Sequence, residues 1–140
     1  MVAIGYEAES VVSVCFCDDA PCEHAASPVS DLAAAQLREY FDGLRKEFTF
    51  PFRIQGTPFQ KAVWEELIRI PYGQTRTYGQ IAAAIGKPTA ARAVGMACNR
   101  NPLWIAIPCH RVVGKNNTLT GYAGGLERKQ QLLLLEQHHR

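Results

Sequence analysis

The sequence predicts an α+β chain in two parts: a small N-terminal α/β unit over residues 1–52, then a helix-rich domain over residues 53–140 with a helix-turn-helix, winged-helix-like pattern. Three observations lead there. Residues 1–17 alternate apolar and polar with the period of paired strands. From Thr57 onward the apolar spacing becomes helical, and a Gly-containing turn separates two short helical stretches. The charges divide near the same place. Residues 1–66 carry a net −6, residues 67–126 hold no Asp or Glu and carry +7, and the last 14 residues add +1.

At 140 residues the chain is long enough for a real core. A hydrophobic fraction of 47% with 20% charged residues is ordinary for a soluble globular protein and excludes a disordered or fibrous class. No apolar run approaches the roughly 18 residues that a membrane span needs, and no basic-then-apolar signal pattern opens the chain. The five cysteines are odd in number and lack the regular spacing of a disulfide scaffold, so a reducing, cytoplasmic setting is expected. Sixty residues without a carboxylate mark a surface meant for an anion. Nucleic acid leads, because phosphates reward such a face.

Two strands are expected at Val2–Glu7 and Val11–Cys17, with Val12, Val14 and Phe16 sharing one face. Residues 18–29 are loop by composition. Cys15, Cys17, Cys22 and His24 suggest zinc, but the Cys-x-Cys spacing is tighter than the usual gap, and incidental cysteines on an edge hairpin are the preferred reading, with no metal assigned. Ser30 can cap a helix from Asp31 to about Lys46, with Leu37, Tyr40, Phe41 and Leu44 on one face. An extended aromatic connector, Phe48 to Ile54, follows.

Thr57-Pro58-Phe59-Gln60 is a capping box with Pro at the first helical position. Its helix runs to about Ile70, is stopped by Pro71, and buries Phe59, Trp64, Val63 and Leu67. Thr77 or Tyr78 opens a helix through Ile85, Gly86 to Thr89 turns, and Ala90 to about Cys98 forms the second helix of the pair. That second helix is Ala, Gly and Val around one charge, Arg92. A groove-reading helix carries several polar base readers, so this one suits close approach to a nucleic-acid backbone, not sequence readout. Gly121 to Gly125 is a backbone-rich loop, and Leu126–Gln137 closes the chain with leucines 132–135 buried. Glu136 near that helix's end is disfavoured by the dipole, which suggests a partner.

The chemistry centres on Ile107-Pro108-Cys109-His110-Arg111-Val112-Val113. Ile105, Ala106 and Ile107 suggest the end of a short buried strand. Pro108 has no N–H for a ladder, so the strand stops there and leaves Cys109 in a turn. A lone cysteine is most often a buried small hydrophobe. With Pro before it and His-Arg after it, a nucleophile is the better reading, since positive charge or a polarising His favours the thiolate.

Pro108-Cys109-His110-Arg111-Val112, the Thr-Pro-Phe-Gln helix start, Ile70-Pro71-Tyr72-Gly73, Tyr78, Ala91-Arg92-Ala93-Val94-Gly95, Asn101-Pro102, Gly121 to Leu126 and the final helix to Glu136 resemble, in order, the O6-alkylguanine-DNA alkyltransferase family. The resemblance covers about residues 30–137. It implies direct damage reversal without a cofactor: irreversible transfer of an alkyl group from O6-alkylguanine, and from O4-methylthymine, in double-stranded DNA to Cys109, by a monomer that does not bind membranes. His110, held by Glu136 and acting through a water, would take the thiol proton, and Asn101 would brace the turn. Arg92 would enter the base stack through the minor groove, with Ala91, Gly95 and Arg100 also at the DNA. Tyr78 would turn the phosphate and help protonate the leaving guanine. Tyr122, Ala123, Gly124, Trp104 and Met96 would line the base pocket.

Two departures stand out. The N-terminal unit is shorter than is usual, and Trp104 occupies a place where the family often has Pro, which narrows the range of alkyl groups expected. A cysteine hydrolase normally brings its Cys and His together from distant positions. Alkyltransferase-like lesion binders lack the acceptor cysteine.

Overall fold

The computed structural model describes residues 2–16, 27–119, 121, 122 and 125–139. The chain folds as two compact units, residues 1–55 with 102–106, and residues 56–101 with 107–140.

In the first unit, β1 (Val2–Glu7) and β2 (Ser10–Phe16) form an antiparallel hairpin. The expected alternation breaks once. Gly5 pairs with Ser13 but Tyr6 pairs with Val11, so Val12 is a bulge. Val11 and Val14, three apart, are therefore the buried pair, and the expected Val12–Val14–Phe16 face is not formed. The outer edge of β2 is also used. Val11 bonds Pro51 and Arg53 on the aromatic connector, and Val14 bonds Pro102 and Trp104. Of the four zinc candidates, Cys17, Cys22 and His24 lie outside the described residues, and Cys15 forms no disulfide among the described residues.

The first helix, α1 (Pro28–Phe41), starts three residues earlier than expected. Ser27 is the cap, Pro28 opens the first turn, and Ser30 completes the capping box as its third helical residue. Gly43, at φ 77°, ends the helix before Leu44, which is 78% exposed and leaves the predicted face. Leu37 and Tyr40 are buried, as is Gln36, whose amide bonds the Thr49 hydroxyl and backbone N–H and the Phe50 N–H, pinning the connector to the helix.

The second unit opens on α2 (Pro58–Ile68), capped reciprocally by Thr57 and Gln60. Val63, Trp64 and Leu67 are buried and Phe59 is half-buried; the Trp64 indole donates to the Ala97 carbonyl at 2.9 Å. A short β3 (Arg76–Thr77) runs into α3 (Tyr78–Ala84), again with a complete capping box, Thr77 with Gln80. Gly86 at φ 79° makes the turn toward α4 (Ala91–Asn99). The expected strand into Cys109 is absent: Ile105 sits at φ 74°, left-handed backbone that breaks an extended run, and it is unusual for a β-branched residue. β4 (Val112–Val113) pairs parallel with β3, Thr77 opposite Val113. α5 (Leu126–His138) closes the chain. Its leucine run is less buried than expected, with Leu132 inside and Leu134 48% exposed, because a helix turns one face at a time inward.

Candidate active site and DNA-binding cleft

Pro108 builds the nucleophile's turn. At φ −81° and ψ 63° it is the centre of an inverse γ-turn, and the Cys109 N–H donates back to the Ile107 carbonyl at 2.8 Å. Cys109–Arg111 then forms one 3-10 turn, and all three of its side chains are buried. The Asn101 amide donates to the Ile107 carbonyl at 2.8 Å and to Cys109 Sγ at 3.2 Å. Burial pushes the Cys109 thiol up to about 11, against the opposing pull of the Asn101 hydrogen bond and the Lys129 charge. The resting group is thus a thiol. The guanidinium that follows it in sequence does not make it a thiolate, because Arg111 turns to a different partner.

That partner is Glu136, fully buried on α5. Arg111 grips it with two donors, Nε to Oε1 at 2.8 Å and Nη2 to Oε2 at 2.9 Å, while Nη1 donates to the Ile70 carbonyl at 2.8 Å. The Gly73 N–H donates to Oε1 at 3.2 Å, and His110 Nε2 lies 2.7 Å from Oε2. Burial alone raises the Glu136 carboxyl, but the His110 and Arg111 hydrogen bonds and charges hold it down at about 2. An ionised Glu136 fixes the His110 tautomer: the proton sits on Nε2 and donates to the carboxylate. Nδ1 is then the basic atom, and it meets no protein partner among the described residues. Burial lowers the His110 pKa, so the ring rests neutral with Nδ1 unprotonated.

Lys129 lies on α5, fully buried. Its Nζ stands 5.8 Å from the centre of the Tyr78 ring. Burial lowers its pKa, and the Cys109 and Cys98 thiols act on it in the opposite direction. Burial also raises Cys98 and Tyr122 above their usual ranges. Sequence reasoning missed both Lys129 and the Arg111 clamp. A charged residue on a leucine-rich helix looks solvated until its neighbours are known.

A cleft of about 870 Å³ is lined by Tyr78 beside Arg92, Gly95 and Met96 of α4, all four of them residues expected at the DNA or the base. Ala91 lines it too. Gly95 leaves room for the Tyr78 ring, which a Cβ there would meet at 3.8 Å. The Tyr78 hydroxyl donates to the Gly121 carbonyl at 3.5 Å. Met96 is 58% exposed, standing on the open helix face and not in an enclosed pocket. Arg100 caps α4 at its C-terminus, exposed. Tyr122 is buried, Ala123 and Gly124 lie outside the described residues, and Trp104 belongs to the first unit, its ring 5.6 Å from that of Phe16.

Residues 58–138 match the family model of the 6-O-methylguanine DNA methyltransferase DNA-binding domain. The chain belongs to the methylated-DNA–protein-cysteine methyltransferase family. Among its relatives is the Methanosarcina barkeri methylated-DNA–protein-cysteine methyltransferase, 56% identical over 76% of this chain and 68% of that protein. The constitutive Bacillus subtilis methylated-DNA–protein-cysteine methyltransferase is 55% identical over 80% of this chain and 68% of that one. The structure of Mycobacterium tuberculosis OGT in complex with DNA is similar at a TM-score of 0.90 and 41% identity, over 99% of this chain and 87% of that one. Family membership makes the chain a DNA-repair methyltransferase acting on O6-methylguanine.

Proposed function

We propose that Cys109 is the acceptor in this repair and that the buried group behind it moves the proton. The observation that carries this reading is the His110–Glu136 bond of 2.7 Å, which fixes the imidazole with Nδ1 as base in the same turn as a buried thiol. Sγ attacks the alkyl carbon, the carbon–oxygen bond breaks, and its electron pair goes to the guanine oxygen. The thiol proton passes through a water to His110 Nδ1, and Glu136 balances the imidazolium. Tyr78 gives a proton to the departing purine, whose charge is delocalised and responds to such donors. Asn101 braces the turn, and Tyr122, Ala123, Gly124, Trp104 and Met96 serve the base.

The target atom is inaccessible inside a duplex, so the nucleotide leaves the stack and Arg92 fills its place from the minor groove, with Ala91 and Gly95 allowing close approach and Arg100 beside them. DNA containing O6-alkylguanine or O4-methylthymine is the substrate, and no cofactor takes part. The domain division at residues 52 and 53 is part of this reading. So are a monomeric state and a cytoplasmic setting. No helix among the described residues is long and apolar enough to cross a membrane.

A thioether has no evident route of removal here, so one alkyl group is accepted per molecule. Mass spectrometry after incubation with excess O6-methylguanine duplex will find one methyl, on the Cys109 peptide. Multiple turnovers, or a methyl on Cys98, would overturn the assignment. Duplex affinity will fall steeply with salt and differ little between unrelated sequences, as isotherms across a salt series would register.

A further inference from the structure

The strip from Ile70 to Gly73 meets the Arg111–Glu136 pair at three points. Arg111 Nη1 donates to the Ile70 carbonyl at 2.8 Å, and the Gly73 N–H donates to Glu136 Oε1 at 3.2 Å. Between them, the central carbon of the Arg111 guanidinium lies 5.6 Å from the centre of the half-buried Tyr72 ring. We propose that Tyr72 is a positioning residue for proton transfer: its ring backs the Arg111 guanidinium, so that the grip on Glu136, and through it the His110 imidazole, keeps one orientation. This role rests on the proton route proposed above, in which His110 takes the thiol proton of Cys109.

Local geometry presents the ring. The Gln74 N–H donates to the Pro71 carbonyl at 3.1 Å, and Gly73 sits at φ 78°, the left-handed backbone that the third position of a type II turn takes. Ile70 and Gly73 offer the pair only their backbones, and Tyr72 alone offers a surface. The hydrogen bonds of Arg111, to Glu136 Oε1, Glu136 Oε2 and the Ile70 carbonyl, leave from the edges of its guanidinium. Donors at the edges of a planar group fix it within its plane and leave it free to tilt. A ring against its face removes the tilt, and a guanidinium within about 6 Å of an aromatic centre is attracted to it.

The charges that face His110 give this role a measurable consequence. Burial lowers the His110 pKa, Glu136 on α5 opposes that, and Arg111 on its own turn and Lys129 on α5 lower it further. The helix α2, packed on the same turn, buries Val63, Trp64 and Leu67, none of them charged. Burial and the Glu136 charge raise the Tyr72 phenol, which is therefore neutral below pH 10. A guanidinium that tilts away from Glu136 neutralises less of its charge and repels an imidazolium less. Both changes favour the protonated ring, so His110 would be lost as a base at a higher pH.

The test compares wild type, Tyr72→Phe and Tyr72→Leu, each alone and with Arg111→Met. Transfer from free O6-benzylguanine is followed from pH 5 to 8, below the melting temperature of every variant, and the His110 ring protons are titrated by NMR. Tyr72→Leu should slow transfer several-fold more at pH 5 than at pH 8 and move the His110 titration to higher pH. Tyr72→Phe should behave as wild type, because the ring and not the hydroxyl backs the guanidinium. With Arg111→Met in place, Tyr72→Leu should change neither readout, since the group it positions is gone. A Tyr72→Leu protein that loses stability while both readouts match wild type would make Tyr72 a packing residue and overturn the proposal. So would a Tyr72→Phe protein that behaves like Tyr72→Leu, or effects of Tyr72→Leu and Arg111→Met that simply add. Wild-type methylation at Cys109 by O6-methylguanine duplex is measured alongside. Methylation with a His110 titration indifferent to Tyr72 refutes this inference alone, and a Tyr72-dependent titration without methylation refutes the functional reading alone.

Discussion

Around Glu136, two carboxylate oxygens receive donors from His110, Arg111 and Gly73, and every side chain involved is buried. Along the cleft of the same unit, Arg92, Met96 and Lys115 stand exposed, and Arg92 and Lys115 have no carboxylate partner among the described residues. The first region is held by short hydrogen bonds between buried groups, where removing one partner strands a charge. The second presents its charges to solvent from one helix face and one turn. Chemistry that must position a thiol and a base calls for rigidity, and recognition of a generic backbone calls for accessible charge. The core should therefore answer to mutation and pH, and the cleft to salt.

The largest effect expected separates the two directly. Arg111→Met leaves Glu136 buried and ionised without its bidentate partner, which costs about 3–5 kcal/mol. Denaturant unfolding should show that loss, and adding Glu136→Gln should recover part of the stability but not the transfer. A loss under about 1 kcal/mol would mean that the clamp is far weaker than a buried pair should be.

Acid and alkali come next. Native His110 resists protonation, so below its ordinary value of 6.5 the unfolded chain takes up the proton first and stability falls. Glu136 adds to the loss between its ordinary 4.5 and its native value of about 2. On the other side, Cys109 is raised from 9.0 to about 11, so stability is full below pH 9 and is lost as pH climbs through that interval. Thermal melts from pH 3 to 11 would trace a plateau falling at both ends. A midpoint that stays flat from pH 7 down to 4 would contradict the buried neutral imidazole.

Arg92→Ala touches only the cleft. Extruding a paired nucleotide costs a few kcal/mol, so duplex transfer should slow by about tenfold to a hundredfold relative to any change with free O6-benzylguanine. Arg92→Lys should recover phosphate attraction but little of the flipping. Equal losses on both substrates would reduce Arg92 to a support of the fold. The smallest change is Gly95→Ala. Its methyl would make ordinary contact with Tyr78, and helix propensity predicts a gain of about 0.5–1 kcal/mol with modestly weaker duplex binding. Calorimetry and an isotherm would register the two opposite signs.

Much of this was legible because the signals were local. Thr57 with Gln60 and Thr77 with Gln80 announce their helices within four residues, and Pro108 announces the turn at Cys109 without any tertiary information. Ser30 misled because two serines three apart can each cap, and Pro28 after Ser27 was the stronger signal. The strand expected before Cys109 failed because periodicity shows that residues 103–107 are apolar, not that Ile105 takes a positive φ. Glu136's need of a partner was legible from its unfavourable helix end. That Arg111 and Gly73 join His110 in meeting it depends on contacts from 25 to 63 residues away, which no local pattern contains.

The excursion at residues 102–106 has a mechanical consequence. The chain leaves the second unit after Asn101, adds Pro102 and Trp104 to the free edge of β2 in the first, and re-enters at Ile107, two residues before the nucleophile. The Asn101 amide fastens the exit to the re-entry through the Ile107 carbonyl. A polypeptide begun at residue 53 would carry every side chain of the reaction, yet the Pro102 carbonyl and the Trp104 N–H would have lost Val14. The loop that completes the ladder on β2 is thus, by chain continuity, the segment that ends two residues before Cys109, so that a five-residue stretch serves the hairpin on one side and leads into the nucleophile's turn on the other.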